Sequence, residues 1–191
     1  MIDGIKQYGD VILVNDASSD FTEKRALEAG AIIVNHDTNQ GYDNALNSGF
    51  IEADKRNYDA IITFDADGQH NPEALSEYIS RLRNGTDLVL GIRSNQANFA
   101  EWLLMVCSKY KFDWQDPLCG MKGYSMKLYR KQGFFDSYGS IGTELAMFGI
   151  VNGYSYVQIN VNIFTRSDKP RFYSSLFSNW LIIRALFKLY N

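Results

Sequence analysis

The chain has 191 residues, the size of one domain with room for a short appendage. Hydrophobic residues make up 46% and charged residues 21%, enough for a full core, which excludes disordered, collagen-like and low-complexity classes. With 19 Lys and Arg against 22 Asp and Glu the net charge is −3, so no overall basic field points to nucleic acid.

Val11 to Val14 is a short apolar run leading into the polar cluster Asn15 to Asp20, which reads as a buried strand and a turn. A helix is expected from Phe21 to Ala29, with Ser19 or Asp20 as N-cap and Gly30 as its stop. Ala31 to Val34 is a second strand, and a helix opens at Asn39 to Gly41 and runs through Ala53. Ala60 to Phe64 is a third strand, Pro72 starts a helix that ends at Arg83, and Asp87 to Leu90 is a fourth strand. The second half is less regular. Helices are expected over Asn98 to Lys111 and Gly142 to Val151, a strand or turn at Gly120 to Tyr124, and a strand from Tyr154 to Phe164. Phe172 to Tyr190 reads as a helix that is apolar around most of its circumference.

Short apolar strands alternating with helices predict an α/β fold with a mostly parallel sheet covered on both faces. In such sheets the ligand lies beyond the carboxyl ends of the strands. The segments Asn15 to Asp20, Asp65 to His70 and Gly91 to Asn95 follow strand ends and are expected to converge on one crevice.

Cys107 and Cys119, with only two histidines in the chain, form neither a disulfide framework nor a zinc site and read as reduced cytosolic thiols. Asp3 and Asp10 near the start argue against a signal peptide, and the uncharged stretch from Phe172 to Ile183 is too short to span a bilayer. From Thr165 onward five basic residues face one acid, a basic and aromatic tail on an acidic body.

Asp65, Asp67 and Gln69 close an apolar strand and place two carboxylates and an amide oxygen two residues apart. Such hard oxygen donors suit Mg²⁺ or Mn²⁺ bridging a diphosphate. Asp16 reads as an acceptor for a nucleotide base or ribose, Ser19 and Asp20 as helix-capping residues. His70 is either a ligand or a surface histidine at a helix start, and Glu144 either an acceptor-side base or a first-turn helix acid. Asp43 and Asn44 read as solvated helix residues.

Val14-Asn-Asp-Ala-Ser-Ser-Asp20, Asn39-Gln-Gly-Tyr-Asp-Asn-Ala-Leu-Asn-Ser-Gly49, Asp65-Ala-Asp-Gly-Gln-His-Asn-Pro-Glu73, Gly91-Ile-Arg93 and Asp116-Pro-Leu-Cys-Gly-Met-Lys-Gly-Tyr-Ser125 occur in one order. In that order and spacing the chain resembles the inverting family 2 glycosyltransferases, above all the dolichol-phosphate mannose synthase type and its bacterial polyprenyl-phosphate relatives. The resemblance implies a GT-A fold and sugar transfer from a nucleotide-diphosphate sugar to a polyprenyl-phosphate or glycan acceptor, in cell-envelope or surface polysaccharide synthesis. It implies Asp16 in the nucleoside pocket, Asp65, Asp67 and Gln69 around metal and diphosphate, and Arg93 and Arg171 near phosphates. Asp116 is implied at the acceptor side, with Glu144 as second choice.

One departure stands at the front. The family begins with an apolar strand ending in a Pro-x-x-Asn-Glu-like segment, whereas Met1 to Ile5 resembles the end of the helix that follows it. The expectation is therefore a catalytic domain over residues 1–171 that lacks the first strand, plus an amphipathic helix over 172–191. A non-catalytic nucleotide-sugar-binding module is the rival reading. Leu176, Phe177, Trp180, Ile183 and Phe187 at helical spacing, with Arg184 and Lys188, predict a peripheral helix on the cytoplasmic face of a membrane; core packing is the alternative.

Overall fold

Each apolar run of the first half becomes a strand and each stretch between them a helix in the computed structural model, which describes residues 1–65, 68, 70–94 and 99–162. In chain order these are α1 (Ile2–Lys6), β1 (Ile12–Asp16), α2 (Thr22–Glu28), β2 (Ile32–His36), α3 (Tyr42–Lys55) and β3 (Ala60–Thr63). A 3₁₀ turn at Pro72–Ala74 runs into α4 (Leu75–Arg83), followed by β4 (Leu88–Arg93), α5 (Phe99–Phe112) and β5 (Lys122–Ser125). The chain continues through α6 (Met126–Gln132), α7 (Glu144–Val151) and β6 (Tyr156–Val161). The tail helix expected over 172–191 lies outside the described residues.

Local chemistry sets the boundaries. The Asn71 side chain accepts from the Glu73 amide at 3.1 Å while Pro72 supplies a preset φ, so the turn begins there. Ser125 caps α6 through its hydroxyl, which accepts from the Leu128 amide at 3.3 Å, and Gly133 ends the helix at φ +89°. This helix has no counterpart among the expected elements.

β1 and β2 form a parallel pair in which Asp16 lies opposite His36. The other strands form a second sheet in the order β3-β5-β4-β6, with β4 and β6 parallel. β5 is antiparallel to both β3 and β4, so it enters the sheet from the end where those two strands finish. The parallel expectation therefore holds for β3, β4 and β6, and β5 alone reverses. Among the described residues no ladder joins β1 to β3; α3 packs on β1, β2 and β3.

Alternation along β4 sends Leu88 and Leu90 to one face and Val89 to the other, and both faces are buried. On the first face Phe50 of α3 stacks on Phe135 with centroids 4.7 Å apart and meets Tyr124 edge-on at 5.4 Å. On the second face Tyr78 and Leu75 of α4 cover Val89, Met121 and Ile159. Among the described residues no helix is long and apolar enough to cross a membrane.

Candidate active site

Asp16 ends β1 and is held from three directions. Its Oδ1 lies 2.7 Å from His36 Nδ1 and accepts from the Gln40 amide at 2.8 Å, and its Oδ2 accepts from the Gly41 amide at 2.8 Å. His36 Nε2 is 2.8 Å from Ser48 Oγ on α3. Placing the proton on Nδ1 lets the ring donate to the carboxylate and accept the serine hydroxyl. Burial alone would raise the Asp16 carboxyl, but the Gln40 amide, His36 and the Gly41 amide outweigh it and hold the group below its ordinary range.

Asp65 lies two residues past β3, and its Oδ2 stands 3.6 Å from His70 Nε2. His70 is buried rather than a surface residue, its ring edge-on to Phe64 and its Nδ1 without a partner among the described residues. Gly120 makes room for the Asp65 carboxylate: a Cβ at that position would stand 1.8 Å from Oδ2. The Thr63 hydroxyl fixes the approach by donating to the Gly120 carbonyl at 2.6 Å. Asp67, Gln69 and Arg171 lie outside the described residues, and among the described residues no three His, Cys, Asp or Glu side chains converge as a metal site.

Arg93 ends β4 and spends its charge inside the protein. Its Nε donates to Asp116 Oδ2 at 2.8 Å, its Nη2 to Asp116 Oδ1 at 2.9 Å, and its backbone amide to Asp116 Oδ2 at 3.0 Å. Glu101 of α5 is 3.5 Å away on the other side. Asp116 and Glu101 are both fully buried. Asp116 is thus a partner of Arg93, not a carboxylate open to an acceptor.

Lys122 opens β5 and is 2% exposed, with its Nζ 5.9 Å from the centre of the Trp114 ring. Burial lowers its ammonium, while the carboxylates of Asp116 and Asp65 oppose that shift. Cys119 itself is pushed up to about 11 by burial and by Asp116, so it stays a neutral thiol. Tyr42, directly after the Gly41 amide that holds Asp16, lies within electrostatic reach of Asp65. Burial, then Asp65, pushes its phenol well above the ordinary range, although the residue is 39% exposed.

Asp43 is not a solvated helix residue. Its carboxylate accepts from the Gly142 amide at 2.7 Å and the Ile141 amide at 3.3 Å, and burial, then Asp136, raises it to about 6. Glu144 is tied to the Ser137 amide at 2.6 Å and the Ser137 hydroxyl at 2.8 Å. It borders a surface dent between α6 and α7 with Gln132, Phe134, Tyr138 and Phe148, and no described contact joins it to Asp116.

Residues 6–135 match the family described as Glycosyl transferase family 2. The chain belongs to that family. It is 39% identical over 89 residues to an undecaprenyl-phosphate mannosyltransferase of Micrococcus luteus, covering 44% of this chain and 36% of the relative. It is 27% identical over 177 residues to a polyprenol monophosphomannose synthase of Mycolicibacterium smegmatis, covering 82% and 67%. The chain thus matches little more than a third of the Micrococcus relative's length. Among solved structures, glucosyl-3-phosphoglycerate synthase of Mycobacterium tuberculosis in complex with Mn²⁺, uridine diphosphate and its product superposes with a TM-score of 0.79 at 20% identity. That likeness covers 98% of this chain and 73% of the other, and it shows the GT-A fold.

In this family 2 chain Asp65, Arg93 and Asp116 lie within electrostatic reach of Lys122, and Tyr42, next to the amide that holds Asp16, within reach of Asp65. His36, Ser48, Glu101 and Lys122 were not among the expected site residues. His36 had a readable signal, since it follows the second apolar run as Asp16 follows the first.

Proposed function

We propose that the protein transfers a sugar, with inversion, from a nucleotide-diphosphate sugar to a polyprenyl phosphate in cell-envelope polysaccharide synthesis. The observation that carries this is the strand-end cluster itself: Asp16 held as an ionised acceptor, and Asp65 beside Lys122 and the Arg93–Asp116 pair. Asp16 accepts from the nucleoside. Asp65 with Asp67 and Gln69 would hold Mg²⁺ or Mn²⁺, since two carboxylates and an amide oxygen are the hard donors that such ions take. Held by those residues, a divalent ion would supply positive charge against a departing diphosphate. Arg171 is assigned to the phosphates, and Arg93, its guanidinium held by Asp116 and Glu101, supports the site from behind.

An acceptor phosphate is already anionic near neutral pH, so its oxygen attacks the anomeric carbon opposite the diphosphate without a strong base. That fits an Asp116 already bound to Arg93 and a Glu144 already bound to Ser137. The names of the relatives from Micrococcus and Mycolicibacterium support the lipid acceptor over a glycan. We assign catalysis to residues 1–171 and membrane-surface contact to residues 172–191. The rival reading, nucleotide-sugar binding without turnover, draws on the two separate sheets: among the described residues no ladder joins β1 to β3.

Two assays separate these readings. Calorimetry with uridine diphosphate and Mn²⁺ is expected to show binding, and undecaprenyl phosphate with labelled nucleotide sugars is expected to give labelled lipid. Binding without product supports the rival; neither binding nor product overturns both. Flotation with anionic vesicles is expected to retain the whole chain and to lose one ending at residue 171.

A further inference from the structure

We propose that the Lys122 ammonium is an anion-binding group of the site and meets a phosphate oxygen of a bound substrate. This rests on the reading of the site as one that handles phosphates, but not on the identity of the nucleotide. Lys122 is paired with Thr63 of β3 and Leu90 of β4, so it stands between the two strands whose ends lead to Asp65 and Arg93. Its neighbour Gly123 faces Tyr78 and Leu82 of α4, which sends the Lys122 side chain to the opposite face, over Trp114.

The charged groups facing it are Asp116 and Arg93 beside β4, Asp65 after β3 and Asp43 from α3. Yet among the described residues its ammonium has no hydrogen bond and no carboxylate within ion-pair distance; the centre of the Trp114 ring is 5.9 Å away. An ammonium on a side chain only 2% exposed, with no protein partner for its donors among the described residues, is costly, and a methionine would fill the same space over the indole without that cost. Arg93 differs: Asp116 and Glu101 already take up its charge. In the described crevice, then, Lys122 is the cation whose donors remain unspent. A phosphate oxygen accepts only and carries charge, which offsets the desolvation that a neutral hydroxyl would leave largely uncompensated.

The phosphate has two sources, the donor's diphosphate or the acceptor's phosphomonoester, and two probes separate them. Inorganic pyrophosphate and a short-chain prenyl phosphate are titrated into the full chain, wild type and Lys122→Met, by calorimetry and by NMR of the lysine ammonium groups. One of the two is expected to lose affinity roughly tenfold or more in Lys122→Met. Lys122→Arg is expected to retain most of that affinity. Loss for pyrophosphate assigns the contact to the donor, loss for the prenyl phosphate to the acceptor. A lysine that only balances nearby carboxylates would change the melting temperature and leave both affinities unchanged. That outcome, or a wild type that binds neither anion, overturns the proposal. Should Lys122→Met fail to fold, Lys122→Gln replaces it. Lys122-dependent anion binding in a protein that transfers no sugar would instead sink the proposed function and leave this contact standing.

Discussion

Asp116 shows how a single side chain changes meaning once its neighbours are known. The motif Asp116-Pro-Leu-Cys119 suggests an acceptor-side carboxylate, but the carboxylate is fully buried and grips Arg93 with both oxygens. Removing one partner of such a pair strands the other, at a cost of about 3–5 kcal/mol. Asp116→Ala is therefore expected to lower stability by that order in urea unfolding. Asp116→Asn keeps the shape and one acceptor and is expected to lose clearly less. An Asp116→Ala protein that unfolds like wild type would refute the structural role, and only then would lost turnover speak for chemistry. Both members of the pair were readable as site residues; their mutual engagement was not. It depends on β4 and the segment before β5 arriving side by side, and no spacing in the sequence encodes that.

Among the elements, α3 does more than cover the sheet. Its Asp43 binds the Ile141 and Gly142 amides, and its Asn47 accepts from the Phe135 and Asp136 amides and donates to the Asp136 carbonyl. Asp136 in turn accepts from the Tyr138, Gly139 and Ser140 amides, so the segment leading into α7 is moulded on the first turns of α3. Because the folded Asp43 carboxyl is raised from 3.8 to about 6, the native chain holds a proton there that the unfolded chain releases. The stability from that proton is fully present below about 3.8 and is lost as pH rises through about 6. Asp43→Asn is expected to gain on wild type in thermal melts as pH rises across this window. A difference constant with pH would refute it. The elements of the first half were legible because each apolar run is bounded by turn residues. The direction of β5 was not, since Lys-Gly-Tyr-Ser carries no readable period, and α6 was missed because its cap, Ser125, is also the last residue of a strand.

For the whole molecule, the strand-and-helix alternation was enough to expect a site at the strand ends, but the division into two sheets follows only from pairing. A two-stranded pair is marginal without further support, whereas β4 lies between β5 and β6 in a core buried on both faces. Amides of β1 and β2 are accordingly expected to exchange with deuterium well before those of Val89 and Leu90. Equal protection across the two sheets would show that they open as one unit. The two sheets carry different ends of the proposed ligand: Asp16 rides on one and Asp65 on the other, with α3 packed across both. In mechanical terms they are two plates on a common beam. A molecule long enough to touch both acts as a strut, stiffening the assembly against bending along α3. A nucleoside or a phosphate alone loads one plate and leaves the other free to swing.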